Sequence, residues 1–258
     1  MRPQPSAASH PLGGGAIALP GGFALLAASR TLICADAHLG YEDVMGGGGA
    51  LPLWSTDELT AAIAVAAERH GAREIVFLGD AIHGAGLSEG AARAVRRALD
   101  VLRAVAAVTV IAGNHEGRSR GVAIFGETVE ACERDGWLLV HGDRPRPAAD
   151  RTMIGHLHPS LRLGGGTTAP AFLAASRLIV LPALTPYSSG LEVTGEACAD
   201  ALAPWGIRKH EVEVVAATAE RVYPFGSLAA LAYARAAAAG PAGIGRRGRL
   251  RPDRPAGT

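Results

Sequence analysis

Residues 31–38, TLICADAH, run apolar from Leu32 to Ala35 and then stop on Asp36 and His38. Side chains two apart on an extended segment face the same way, so Asp36 and His38 can grip one ion. The pattern recurs along the chain. EIVFLGD (74–80) ends on Asp80, VTVIAGNHE (108–116) carries Asn114 and His115, WLLVHGD (137–143) carries His141, and TMIGHLH (152–158) ends on His156 and His158. Gly79, Gly113 and Gly155 precede Asp80, Asn114 and His156, where a missing Cβ lets the backbone turn sharply beside a ligand. Strand ends join a rigid scaffold to a loop, the place where ligands can be held to tight tolerance.

Between these runs the pattern changes period. Leu59, Ile63 and Ala67 share one face of a helix expected from Ser55 to about His70, with Ser55 and Glu58 at capping-box spacing and Gly71 as its stop. A second helix is expected from Ser88 to Ala106, with Val95, Leu99 and Leu102 on one stripe and Arg93, Arg96, Arg97 and Arg103 mostly opposite. AIAL (16–19) and FALLAA (23–28) around Pro20-Gly21-Gly22 read as a hairpin. AFLAA, RLIVLPAL and GLEVT supply later strands. Strands alternating with helices early and running together late predict an α/β core with mixed sheets. The expected organisation is a loose arm over 1–15, one domain over 16–239 and a disordered basic tail over 240–258, whose last stretch has five Arg against one Asp.

Composition excludes several classes. The 258 residues carry a formal net charge of +1, so no global field attracts nucleic acid or an anionic membrane; a nucleic-acid contact is left open without support from charge. Three cysteines, Cys34, Cys132 and Cys198, stand far apart with no CxxC pair, which argues against a disulfide framework and a thiolate zinc site. The first fifteen residues lack the apolar core of a signal peptide, and no stretch approaches the ~18 apolar residues of a membrane span. A cytoplasmic protein is expected. Five Phe, three Trp and four Tyr offer no evident platform for stacking single-stranded bases.

The ordered set Asp36-x-His38, Gly79-Asp80, Gly113-Asn114-His115-Glu116, His141 and Gly155-His156-x-His158 resembles the calcineurin-like metallophosphoesterase superfamily. HLGYE (38–42), GDAIH (79–83), GHLHP (155–159) and LPALTPYSSGLEV (181–193) look like its bacterial and archaeal branch that includes the DNA-ligase-associated metallophosphoesterases. The resemblance implies a four-layer α/β/β/α sandwich with mixed sheets. It implies one divalent metal on Asp36, His38 and His158, a second on Asn114, His141 and His156, and Asp80 bridging them. Imidazole, carboxylate and amide oxygen suit manganese foremost, with iron or zinc as alternatives.

Two divalent ions, two carboxylates and a bridging hydroxide sum to about +1, a host for a phosphate oxygen. The implied reaction is hydrolysis of a phosphodiester or phosphomonoester, with a nucleotide-derived substrate, by that hydroxide. His115, left out of the metal shell, would stabilise the transition state or protonate the leaving group. Competing expectations are a DNA nuclease of the repair-exonuclease kind and a non-catalytic metal-binding scaffold. His83 stands where many members carry a second acid; it either bonds the substrate phosphate or lies behind the ligands, and Glu116 or Glu42 could then orient His115. Arg118 and Arg120 could reach a phosphate, although a solvated loop is the simpler reading.

Overall fold

The computed structural model describes residues 8–45, 54–83, 87–115, 122–145 and 151–239. One sheet runs in sequence order: β1 (His10–Gly13), β2 (Ala16–Ala18), β3 (Ala24–Leu26), β4 (Thr31–Cys34), β5 (Glu74–Leu78) and β6 (Ala107–Ile111). The hairpin expected around Pro20-Gly21-Gly22 is present as the antiparallel pair β2 and β3, and β4, β5 and β6 are parallel. The connections between the parallel strands hold α1 (Tyr41–Met45), α2 (Trp54–His70) and α3 (Glu89–Val105), and α4 (Val122–Phe125) follows β6.

The second sheet holds nine strands: β7 (Cys132–Arg134), β8 (Trp137–Leu139), β9 (Thr152–Ile154), β10 (Pro159–Gly164), β11 (Thr167–Ala174), β12 (Leu178–Val180), β13 (Leu191–Glu192), β14 (Glu213–Ala217) and β15 (Val222–Ser227). Here β8, β9 and β12 are parallel neighbours. Two α-helices, α5 (Glu196–Leu202) and α6 (Leu228–Ala239), and three short 3-10 helices at Pro20–Gly22, Ala203–Trp205 and Lys209–Glu211 complete the described elements.

Strand alternation sorts the core into three slabs. Ile33, Val76 and Leu78 point from the first sheet at Trp137, Phe172 and Ile179 of the second. Leu32, Ile75 and Phe77, one residue out of step, face Ile63, Val95 and Leu99 of α2 and α3. Leu173 and Val180 face Leu202 and Leu228 on the opposite side. The result is helices, sheet, sheet, helices: the four-layer α/β/β/α sandwich with mixed sheets. In α3 the apolar stripe is buried and Arg93, Arg96, Arg97 and Arg103 lie outside.

Two local expectations change. His10–Gly13 is strand rather than loose arm: Leu12 buries in the slab between the sheets, and the Gly14 carbonyl accepts the Trp137 indole N–H at 2.9 Å. A side chain at Gly14 would strike that ring, whose Cζ2 lies 2.8 Å from the Cβ position. At the start of α2, Ser55 lies inside the helix and donates to Glu42. Residues 1–7 and the tail 240–258 lie outside the described residues. Among the described residues, no helix is long and apolar enough to cross a membrane.

Candidate metal centre

All five motifs lie just beyond the C-terminal ends of parallel strands. Asp36 and His38 follow β4, Asp80 follows β5, Asn114 and His115 follow β6, His141 follows β8, and His156 and His158 follow β9. In open α/β sheets the carboxyl ends of strands form the ligand crevice, and here two sheets supply it jointly. Backbone bonds fix the loops: Thr185 N–H donates to the Asp36 carbonyl at 3.1 Å across the crevice between the sheets, and His38 N–H donates to the Asp80 carbonyl at 2.9 Å between neighbouring loops of the first sheet.

The backbone at these positions is unusual. Among the described residues, seven non-glycine positions have positive φ, and five of them are Asp36, His38, Asp80, His156 and His158. Such conformations cost about 1–3 kcal/mol each and persist where surrounding structure over-determines them. The glycines act by space. A Cβ on Gly79 would run into the His141 ring, and one on Gly155 would sit 2.5 Å from Asp36 Oδ2.

Two groups of ligand atoms converge, each within 4.8 Å: Asp36, His38 and His158, and Asp80, His141 and His156. His141 Nδ1–H donates to the Leu78 carbonyl at 2.8 Å, which leaves the Nε2 lone pair pointing inward. That lone pair faces Asn114 Oδ1 at 2.9 Å, His156 Nδ1 at 3.1 Å and Asp80 Oδ2 at 3.5 Å. Lone pairs brought this close repel unless a proton or a cation lies between them. Asp80 Oδ2 also stands 4.0 Å from His38 Nε2, between the two groups.

Asp36 is fully buried. Its Oδ2 accepts the His156 backbone N–H at 2.8 Å, while Oδ1 has no hydrogen-bond partner among the described residues and lies 3.3 Å from His158 Nε2. A buried carboxylate oxygen without a donor is expensive unless a cation takes that place. Burial pushes the His38 imidazole down to about 3, despite the Asp36 carboxylate beside it. Burial and then the neighbouring His141 lower His156 as well. Neutral imidazoles keep the lone pairs that metals require. The donor set fits two divalent cations.

His115 sits at the mouth. Its backbone N–H donates to Asp80 Oδ1 at 2.9 Å, its Nε2 lies 3.8 Å from Asp80 Oδ2, and its side chain is 39% exposed. His83 Nδ1 is 3.0 Å from His38 Nδ1, and its ring stacks on His115 with centroids 5.0 Å apart. His38, His83 and His115 form a third group of convergent nitrogens. Glu42 does not orient His115; it accepts from Ser55 and Thr56 at the start of α2. Glu116, Arg118 and Arg120 lie outside the described residues.

A cavity of about 200 Å³ opens over the cluster, lined by His38, His83, His115 and His158 and by residues that sequence reasoning missed: Tyr41, Thr185, Tyr187 and Ser188. Ser188 Oγ lies 2.8 Å from His158 Nδ1, the ring nitrogen turned away from Asp36. The available signal was the polar string TPYSS directly after the apolar run RLIVLPAL.

The family model for calcineurin-like phosphoesterases matches residues 29–215. The crystal structure of the Pseudomonas putida nuclease MPE is similar with a TM-score of 0.62 at 22% identity, over 81% of this chain and 94% of that one, a likeness of fold. No curated protein matches.

Proposed function

We propose a metal-dependent phosphoester hydrolase from one premise: this chain belongs to the calcineurin-like phosphoesterase family, whose model spans residues 29–215 of its 258. Asp36, His38 and His158 would hold one divalent ion, Asn114, His141 and His156 the other, and Asp80 both. Divalent ions held there would supply an activated water as nucleophile and polarise the phosphoryl oxygens. Manganese is the metal we favour, with iron or zinc as alternatives. His115, exposed toward the cavity and anchored through its backbone on Asp80, would donate to the leaving oxygen. His83, stacked on His115, would face the same phosphate.

The observation that carries this reading is the donorless Asp36 Oδ1 beside inward-facing imidazoles. We favour a phosphodiester, nucleotide-derived, over a monoester. The test is chelator-stripped protein reloaded with manganese, iron or zinc and assayed on bis(p-nitrophenyl) phosphate and p-nitrophenyl phosphate. Two ions per chain and faster diester hydrolysis are expected. Two ions without hydrolysis of either ester would leave a non-catalytic scaffold.

A second reading, a DNA nuclease, draws on the name of the Pseudomonas putida neighbour and on the tyrosines at the cavity rim. Salt-sensitive cleavage of single-stranded DNA would favour it.

A further inference from the structure

As lined by the described residues, the cavity is too small to enclose a whole nucleotide-sized ester. Sites that bury drug-sized ligands occupy roughly 300–1,000 Å³; this one has about 200 Å³. A phosphoryl group fits beside the imidazoles, and whatever it is esterified to must lie across the rim. What the rim offers is aromatic. Tyr187 is 45% exposed, one of five large apolar side chains exposed among the described residues, and it lines this cavity.

Tyr187 does not stand alone. Its ring centroid is 4.9 Å from that of Tyr41, Tyr41 is 4.2 Å from His83 in an edge contact, and His83 stacks on His115 at 5.0 Å. A continuous row of rings therefore leads from solvent to the catalytic end of the site. Residues from two separate strand ends build it, Tyr41 after β4 and Tyr187 after β12, so the row depends on both sheets.

We propose that Tyr187, backed by Tyr41, stacks on a nucleobase whose sugar carries the scissile phosphate, and so selects nucleotide esters. Base-on-aromatic stacking is strong and tolerant of base identity. The spacing of the row argues for a spacer between phosphate and planar group. An aryl phosphate, with its ring bonded directly to the ester oxygen, would end beside His83 and leave Tyr187 bare. A sugar moves the planar group outward to the rim. The proposal rests on the phosphoester-hydrolase reading and deepens it.

The test uses the metal-loaded full chain on matched substrates that differ only in the base: a single-stranded trinucleotide against its abasic counterpart, and adenosine 5′-monophosphate against ribose 5-phosphate. The first pair reports a strand and the second a free nucleotide. In the pair that is turned over, the base should improve kcat/KM on the order of tenfold, mainly through KM, because stacking is equal in ground and transition states. Tyr187→Ala should bring the ratio toward one and Tyr187→Phe should keep it, since only the ring face is used.

Equal rates on both members of the pair would overturn the proposal. So would a Tyr187→Ala defect that lowers both members by the same factor, the sign of a structural role. Preference for O-phosphotyrosine over adenosine 5′-monophosphate would replace the base with an aryl ester and overturn it too. Hydrolysis of bis(p-nitrophenyl) phosphate together with base-blind rates would sink this inference alone. No hydrolysis of any ester would sink the parent reading with it.

Discussion

His115 and Asp80 meet through two different parts of the same residue, which separates structure from chemistry at that position. The bond to Asp80 Oδ1 comes from the His115 backbone N–H and survives any side-chain change. His115→Ala should therefore leave the carboxylate held and both ions bound, while kcat falls about 10²- to 10⁴-fold, the usual contribution of a positioned acid. Metal content beside steady-state kinetics checks this; near-native kcat would remove His115 from the reaction. Gly79 poses the opposite case. Its φ is +78°, and a Cβ there would meet the His141 ring, with Cγ 2.5 Å away. Gly79→Ala should displace His141, lower metal content to about one ion per chain and cost more than the ~1–2 kcal/mol of the left-handed backbone alone. Two tightly held ions in that variant would show that the ring can move without loss.

Glu42 ties three pieces of chain together at the scale of elements. From α1 it accepts the Thr56 N–H at 3.0 Å, the Thr56 hydroxyl at 3.3 Å and the Ser55 hydroxyl, which satisfies donors at the start of α2. Thr56 Oγ1 in turn accepts the Gly40 N–H at 2.9 Å, two residues beyond His38. Glu42→Ala should cost about 1–3 kcal/mol in urea unfolding, the penalty for buried donors left unpaired, with Glu42→Gln losing less. Unchanged stability would mean that water replaces the carboxylate. This network shows where sequence reading stops. Asp36 and His38 are legible because their spacing is local, and the α2 and α3 stripes because their period is local. The partners of Glu42, Tyr41 and Ser188 lie 14, 146 and 30 residues away, respectively Thr56, Tyr187 and His158, and no local period reports such pairs. Likewise Ser55 and Glu58 have capping spacing, yet Glu42 reaches Ser55 first. His10–Gly13 (HPLG) is too short and too broken by proline and glycine to show a strand period; it pairs with the neighbouring β2, and the Trp137 indole that bonds to the Gly14 carbonyl beside it comes more than a hundred residues later.

Across the whole molecule, two sheets that share no strand donate ligands to one seam, so the site exists only when the layers are docked. That docking confines imidazoles in a dry space, and the confinement has a pH signature in chelated protein. His38 is pushed down to about 3 chiefly by burial, with Asp36 opposing and His158, His83 and His115 adding; His156 and His83 are lowered too, again by burial first. The unfolded chain titrates its histidines near 6.5. Below that value the unfolded state binds more protons than the folded one, so stability falls as pH falls, until near pH 3 the folded His38 also protonates. Ordinary carboxylates, with values near 4, stay ionised between pH 7 and 5, so that window isolates the histidines. Each fully mismatched histidine costs up to about 1.4 kcal/mol per pH unit there, less for the half-buried His83 and His156, which solvent screens. The urea midpoint of chelated protein should therefore drop from pH 7 to pH 5, and His38→Gln should flatten the slope. Added manganese should raise the midpoint at pH 7 by mass action and do so less at pH 5, where protons compete for the same nitrogens. A midpoint that is level or rises between pH 7 and 5 would mean these imidazoles are not confined as the docked sheets require.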